Sequence, residues 1–345
     1  MKKILFLLTN TTMGGAENVI FTIMSLLKGK YEFLYCSPKG SIQKVLEEKN
    51  INHIVIDKMD KKSVSKVVED YKPDIIHAND YRASCIATSF HNKARIISQI
   101  HGNYDYVNKP NLKSLFYLLC SRKMDKIIWV SNSSYEGYYF HKMLSKRSII
   151  LSNVIESKNV EIKSKEYVCN DKIDLIFLGR LAYPKNVERI IEITRLLCEK
   201  KKDIKLAIVG EDVDKEKLVN LVKNYKLEKN VKFYGFQSNP YPILKQSKFL
   251  IMTSFYEGTP MCALEAQSLG IPVVSTPVDG LKTIIKNDIN GYLTDDNERF
   301  VNFLNLYLNN IKKYNELVNK TKSNFKNIND EEKYIKVLLS LYNAN

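Results

Sequence analysis

The chain has 345 residues, 44% of them hydrophobic, and a formal net charge of +15. That length is too great for one ordinary domain and suits two of about 150 residues or more, each able to build a core. Six cysteines stand apart, with no C-x-x-C and no histidine at zinc spacing, which argues against a disulfide framework or a zinc site and for free thiols in a reducing compartment.

The start, M-K-K-I-L-F-L-L-T-N, has a basic head but only five apolar residues before Thr9. This is too short for a signal sequence or a membrane span, and it reads as a buried first strand, Ile4–Leu8. Further strands are predicted at Phe33–Cys36, His53–Ile56, Asp74–His77, Arg95–Ile100, Lys126–Val130 and Ser148–Leu151, with helical stretches such as Val64–Tyr71 between several of them. Glu156–Lys172 is polar and charged, and reads as an inter-domain connection. The pattern restarts with strands at Ile173–Leu178, Lys205–Val209, Val231–Phe233, Phe249–Met252, Pro272–Ser275 and Gly291–Leu293, and helices at Val187–Glu199 and Lys215–Tyr225. Alternating strand and helix predicts parallel sheets covered on both faces. Two such sets predict an α/β chain of two doubly wound domains facing across a cleft, with ligands at the carboxyl ends of the strands. The domains are expected at 1–160 and 161–330, followed by an amphipathic helix within 331–345. No run reaches the ~18 apolar residues of a membrane span, so the chain is expected in the cytoplasm, or peripheral at the inner face of the plasma membrane.

Several stretches carry chemistry. Gly14 and Gly15, in T-N-T-T-M-G-G-A-E-N, precede a helix start; paired glycines let a backbone approach a phosphate or sugar, and a helix start favours negative charge. The G-x-G-x-x-G fingerprint of a nicotinamide cofactor is absent. Arg180 and Lys185, in F-L-G-R-L-A-Y-P-K-N, supply two cations at a strand end, suited to a diphosphate on which negative charge develops. In the run S-F-Y-E-G-T-P-M-C-A-L-E-A-Q-S-L-G-I-P, Glu257 and Glu265 stand at i and i+8. Gly258, Thr259 and Pro260 form a tight loop between them, and Met261 opens a helix. Unpaired amides at that helix start form an anion site, while the two acids can accept hydrogen bonds from hydroxyls. That is the layout of a nucleotide-sugar site. Asp212-Val213-Asp214 is formally a metal-binding D-x-D, but its place before a helix is explained by the helix dipole, and no metal is expected.

The run around Glu257 and Glu265 resembles the E-x7-E signature of retaining GT-B glycosyltransferases, in particular glycosyltransferase family 4, and the match extends to S-x-x-E-G-x-P, E-A and G-x-P-V-V. Gly14-Gly15-Ala16-Glu17 is similar to the family's G-G-A-E, and Gly179-Arg180-Leu181 with Lys185 to its G-R-L-x-x-x-K. Asn186 stands where the family often has glycine. The resemblance implies a GT-B fold whose last helix crosses back to the first domain. It implies a nucleotide-diphosphate sugar as donor, a UDP-sugar first among them, with no cofactor or metal required, and a glycan or lipid-linked glycan as acceptor in cell-surface polysaccharide synthesis. Arg180 and Lys185 would hold the diphosphate, Glu257 the sugar and Glu265 the ribose. The loop of Gly235 and Phe236 would receive the base, although a phenylalanine there also reads as plain packing. His101, which ends I-I-S-Q-I-H, would contact the donor sugar from the first domain, and Ser131 and Asn153 match cleft-edge positions. His77 points toward the cleft by position, on the acceptor side. Near Asp279-Gly280-Leu281-Lys282-Thr283 the family's paired glycine and glutamate are missing. Rival readings are a sugar-nucleotide epimerase of the same fold and, from charge alone, a nucleic-acid-binding protein, against which no recognised binding motif is found.

Charge is uneven: residues 1–165 hold 26 Lys+Arg against 15 Asp+Glu, and the remainder 27 against 23. Lys109–Lys126 interleaves Lys109, Lys113, Arg122 and Lys123 with Leu112, Leu115, Phe116, Leu118 and Leu119. Such a helix suits an anionic membrane surface; equally, its apolar residues suit packing on the sheet with the cations merely solvated.

Overall fold

The computed structural model describes residues 1–211 and 215–344, so Asp212-Val213-Asp214 lies outside the described residues. The chain divides into two compact units, Met1–Val154 together with the segment from Glu331, and Ile155–Asp330.

The first unit is built on seven strands: β1 (Lys3–Leu7), β2 (Glu32–Pro38), β3 (His53–Ile56), β4 (Ile75–Ala78), β5 (Arg95–Ile100), β6 (Lys126–Trp129) and β7 (Ser148–Ile150). They lie in the order β3-β2-β1-β4-β5-β6-β7, and every pair is parallel. Helices cover both faces of such a sheet, which is why Ile4, Leu5, Phe6 and Leu7 are all fully buried without any polar alternation. The second unit repeats the plan with six parallel strands: β8 (Ile173–Leu178), β9 (Leu206–Val209), β10 (Val231–Gly235), β11 (Ser247–Met252), β12 (Val273–Ser275) and β13 (Gly291–Leu293). Their order is β10-β9-β8-β11-β12-β13. Both units are therefore doubly wound, as the alternating pattern predicts. In each, the chain reverses its direction of travel across the sheet at one point, between β1 and β4 in the first and between β8 and β11 in the second.

The amino ends of the strands are pinned by aspartates. Asp74 accepts the Lys3 amide (2.7 Å), Asp125 that of Ile96 (2.8 Å) and Asp174 that of Lys205 (3.1 Å). Asp174 is fully buried and takes Lys248 Nζ on its other oxygen at 2.9 Å.

The polar stretch Glu156–Lys172 is not a free connection. It begins with a helix, Ser157–Lys163, whose Val160 is buried. Asn239 holds it, donating to the Lys163 carbonyl (3.0 Å) and to Glu166 (2.7 Å). The chain enters and leaves this unit at one place: Asn329 accepts the Ile155 amide (2.8 Å) and donates to the Ile155 carbonyl (3.0 Å), with both residues buried. A run of charged residues resembles a linker in composition, but one apolar residue and one bracketing asparagine are enough to seat it.

The helix Glu331–Asn343 packs within the first unit through buried Tyr334, Leu338, Leu341 and Tyr342. Lys2 Nζ and Arg95 Nη1 donate to the carbonyls of Tyr342 and Leu341, each at 3.0 Å, where unsatisfied carbonyls collect at a helix end. His77 belongs to this joint and not to a ligand surface. It is fully buried, its Nδ1 lies 2.7 Å from the Tyr342 hydroxyl, and its ring packs against Phe6 and Tyr342. Position at a strand end does not settle where a side chain points, and here the returning helix covers it.

Burial holds His77 and His101 down at about 3, so both stay neutral in the fold. In the unfolded chain a histidine titrates near 6.5. Their contribution is therefore fully present above about pH 6.5 and is lost progressively as pH falls toward 3. The urea midpoint of the first unit should fall between pH 7 and pH 4.5 with a slope approaching two protons, and His77→Asn should flatten it. Tyr342→Phe, which strands the buried imidazole nitrogen, should cost about 1–3 kcal/mol in the same titration.

Candidate functional site

Where a doubly wound sheet reverses direction, the loops leaving the two central strands part to opposite faces, and a crevice opens at their carboxyl ends. In the second unit those loops follow β8 and β11. The β8 loop carries Arg180, which is exposed, and a 3₁₀ turn, Tyr183–Lys185. Asn186 ends that turn at φ 48° and starts the helix Val187–Lys200. This left-handed conformation favours glycine and tolerates asparagine, which explains why asparagine can stand there. The β11 loop carries Glu257, Gly258, Thr259 and Pro260. The two loops are stitched together by the Phe255 amide on the Pro184 carbonyl (2.9 Å) and by Thr253 Oγ1 on the Asn186 carbonyl (2.7 Å).

That stitching brings Lys185 and Glu257 into contact. Lys185 Nζ donates to Glu257 Oε1 at 2.6 Å, and Ser254 Oγ donates to the same oxygen at 2.7 Å. Among the described residues Oε2 takes no hydrogen bond. Glu257 is nearly buried, which makes this pair stronger than an exposed one. Pro260 N-caps the helix Met261–Ser268 without any side-chain cap bond; the Ala263 amide turns back to the Pro260 carbonyl (3.1 Å), which leaves the Met261 and Cys262 amides as donors beside the pair.

Glu265 lies one turn further into that helix in a different environment. It is buried, and desolvation pushes its carboxyl up to about 7, opposed by the Tyr241 hydroxyl and by the charge of Lys163. Tyr241 OH donates to Glu265 Oε1 at 3.1 Å. Tyr241, far from its partner in sequence, was not singled out, and Ser254, although it opens the S-x-x-E-G-x-P match, was given no role of its own.

Two glycines shape the floor. A Cβ on Gly210, at φ 140°, would sit 1.9 Å from the Gly179 carbonyl oxygen, so the ends of β8 and β9 can meet only with glycine there. A Cβ on Gly280 would sit 1.2 Å from the Gly258 carbonyl oxygen. The helix Asp279–Lys282 therefore backs the Glu257–Gly258 loop directly, and Asp279-Gly280 keeps the one glycine that the contact needs. Gly235 ends β10 at φ 69°, and Phe236 after it is half exposed and not packed in the core.

The first unit has a group of its own at the carboxyl ends of its strands. Gly14 caps the helix Gly15–Leu26 in extended conformation, without a side-chain bond. Buried Glu17 accepts from Asn10 Nδ2 at 2.8 Å. His101 follows β5, and its Nε2 lies 3.0 Å from Asn79 Oδ1. Asn79 Nδ2 donates to the His77 carbonyl at 2.9 Å, so Oδ1 is the acceptor and His101 carries its proton on Nε2. Nδ1 is then a lone-pair acceptor, buried and without a partner among the described residues. Ser131 caps the helix Asn132–Glu136 and accepts the Ser134 amide, and Asn153 is buried. Asn79, which sets the tautomer of His101, had no motif to mark it.

Residues 159–324 match the family model of glycosyl transferases group 1. The chain is 24% identical over 314 residues to the lipopolysaccharide 1,6-galactosyltransferase of Escherichia coli, covering 86% of each chain. It is 26% identical to a Campylobacter jejuni enzyme, N-acetylgalactosamine-N,N'-diacetylbacillosaminyl-diphospho-undecaprenol 4-alpha-N-acetylgalactosaminyltransferase, over 86% of this chain and 87% of that one. The crystal structure of Anabaena HepE in complex with UDP and glucose superposes with a TM-score of 0.84 over all of both chains, at 18% identity. The expected GT-B architecture is thus the one the chain has.

The Tyr241 hydroxyl stabilises the ionised form of Glu265. Tyr241→Phe should therefore move the carboxyl titration further above about 7, read by carbon-13 NMR of labelled glutamate; an unchanged titration would disprove the bond.

Proposed function

We propose that this glycosyltransferase, which has the GT-B fold and whose residues 159–324 match the family model of glycosyl transferases group 1, is a retaining enzyme. It moves a hexose-type sugar from a UDP-sugar to a glycan or lipid-linked glycan acceptor during synthesis of a bacterial cell-surface polysaccharide. The observation that carries this reading is the Lys185–Glu257 pair set beside the start of the helix Met261–Ser268, at the switch point of the second sheet. A cation and helix-start amides suit a diphosphate; a carboxylate with one unengaged oxygen suits sugar hydroxyls. The relatives named for lipopolysaccharide and diphospho-undecaprenol acceptors, and the UDP and glucose of the structural neighbour, support the choice of substrates.

In this mechanism Lys185 and Arg180 take the charge that develops on the departing diphosphate. Glu257 orients the sugar, Glu265 accepts from the ribose, and Phe236 flanks the base after Gly235. The bond from the sugar C1 to the phosphate oxygen breaks as the bond to the acceptor oxygen forms on the same face. The acceptor proton passes to the departing phosphate oxygen, so no protein base is required, and the reaction uses no cofactor or metal beyond the donor. His101, held neutral by burial, offers its Nδ1 lone pair to a donor-sugar hydroxyl. Gly14 and Gly15 let the backbone of the first unit approach a phosphate or sugar closely. A lipid-linked acceptor would hold the enzyme at the inner face of the plasma membrane.

The test is a panel of nucleotide sugars scored by thermal shift and then by transfer, with product stereochemistry read by proton NMR. Arg180→Ala and Lys185→Ala should each remove a charge-assisted contact of about 1.5–3 kcal/mol, lowering turnover roughly 10- to 150-fold in a folded protein. Glu265→Gln should weaken binding of UDP alone in calorimetry, whereas Glu257→Gln should spare UDP and damage transfer. Wild-type turnover in both cation variants, or equal UDP loss in both glutamate variants, would refute these roles.

A further inference from the structure

The helix Leu112–Ser121 sits in the first unit the wrong way out for a soluble protein. Its apolar residues at i, i+3, i+4 and i+7, which a sheet-covering helix buries, point to solvent: Leu112 is 86% exposed, Leu115 44%, Phe116 59% and Leu119 49%. Its inner face combines buried Ser114, Tyr117 and Ser121 with Leu118 and Cys120, which pack partly buried against the core. That orientation is locked. Tyr138 OH donates to the Ser114 carbonyl (2.7 Å), the Tyr117 hydroxyl is 2.8 Å from Ser98 Oγ, and Ser114 Oγ donates to the Lys109 carbonyl ahead of the helix (2.7 Å). Rolling the helix to bury its leucines would strand these groups. Asn111 fixes the start with a reciprocal capping box.

The outward face continues beyond the helix. Asn111 ties it to the Tyr106 carbonyl (2.9 Å), and the Tyr139 amide bonds the Val107 carbonyl (3.0 Å); Tyr106, Tyr139 and Met143 are all exposed. An apolar surface of this extent marks an interaction site. The charge around it says with what. Residues 105–147 hold eight Lys+Arg against three Asp+Glu, and Lys109, Lys113, Arg122, Lys123, Lys142 and Lys146 are all exposed. Lys113 lies over the Tyr106 ring at 5.2 Å, an arrangement in which an aromatic body and a cation reach the same surface. Apolar residues that protrude, ringed by cations, fit the headgroup and acyl boundary of an anionic bilayer. A second copy of this chain meeting it through the same face would bring a rim of like charge. No helix among the described residues is long and apolar enough to cross a membrane, so the contact is peripheral.

We propose that the outward face of Leu112–Ser121, with Tyr106, Tyr139 and Met143, docks the enzyme on an anionic lipid bilayer. This rests on the reading above only for the membrane concerned, where a lipid-linked acceptor lies; the surface itself is independent of the donor site.

The test is flotation of the full chain with vesicles of phosphatidylcholine alone and with phosphatidylglycerol added, run beside UDP calorimetry. Binding should require phosphatidylglycerol and weaken with salt. It should fall about fivefold for each basic residue neutralised among Lys113, Arg122 and Lys123. Leu115→Ser with Phe116→Ser should abolish it while UDP affinity and melting temperature hold. Should that pair fail to fold, Phe116→Trp answers the question: the emission of the introduced indole should shift to the blue on anionic vesicles, against a constant background from buried Trp129. No flotation of a folded protein overturns the proposal, as does an emission of the Phe116→Trp variant that anionic vesicles leave unshifted. So does a dimer in sedimentation that the same serine substitutions dissolve, which would make a second copy the occupant. UDP binding without flotation refutes this docking surface and leaves the transferase; flotation without UDP binding does the reverse.

Discussion

The second sheet reverses direction between β8 and β11, and most of what is chemical in this molecule depends on that reversal. A parallel sheet cannot leave its central carboxyl ends covered when consecutive connections depart to opposite sides. The loops after β8 and β11 are the two that border the gap, and they carry Lys185 and Glu257. Their side chains meet because two backbone-directed hydrogen bonds, from Phe255 and Thr253, hold the loops in fixed register. At the opposite end of the strands the chain does the reverse. There Asp174 closes the sheet by bonding a neighbouring strand and a lysine. One end is tied with carboxylates to backbone amides; the other is opened with glycines, so that a ligand can approach where a side chain would collide.

Glu257 and Glu265 sit eight residues apart and live under different electrostatics. Glu257 shares one oxygen between a lysine and a serine, and its charge is compensated. Glu265 has a tyrosine hydroxyl and no cation in contact, so burial dominates and its proton is held near neutrality. The same residue type thus serves as a fixed anion at one place and as a group that can both give and take a hydrogen bond at the other. Neither environment is encoded near the residue. Lys185 and Tyr241 arrive from distant loops, which is why the spacing of the acids reveals the site but not the division of labour between them.

The architecture was largely readable. Strands buried on both faces leave continuous apolar runs such as I-L-F-L and L-I-F-L, and boundaries missed by a residue or two do not disturb the topology. Lys185 and Glu257, singled out by type as a cation and an acid, are in contact, because such residue types are informative by themselves. Partners were not: Asn79 and Tyr241 are ordinary residues made important by tertiary contact. His77 shows the converse error, since a strand-end position suggested an open surface and Tyr342 covers it. For Leu112–Ser121, periodicity defined an apolar stripe but not its direction, which the hydrogen bonds of Ser114 and Tyr117 decide. The stretch after Glu156 failed for a different reason: composition is blind to a single buried valine.

The returning helix Glu331–Asn343 has a consequence for how the molecule is made. The second unit is contiguous and can close on itself as soon as Asn329 reaches Ile155. The first unit, although translated first, lacks the helix that covers His77 and Tyr31 until the second has left the ribosome. Order of synthesis and order of completion are therefore inverted. Through all of elongation a nascent sheet with an uncapped aromatic cluster waits on the far side of the chain. A stalled or truncated product would display that cluster permanently, giving quality control a direct chemical mark of an unfinished chain.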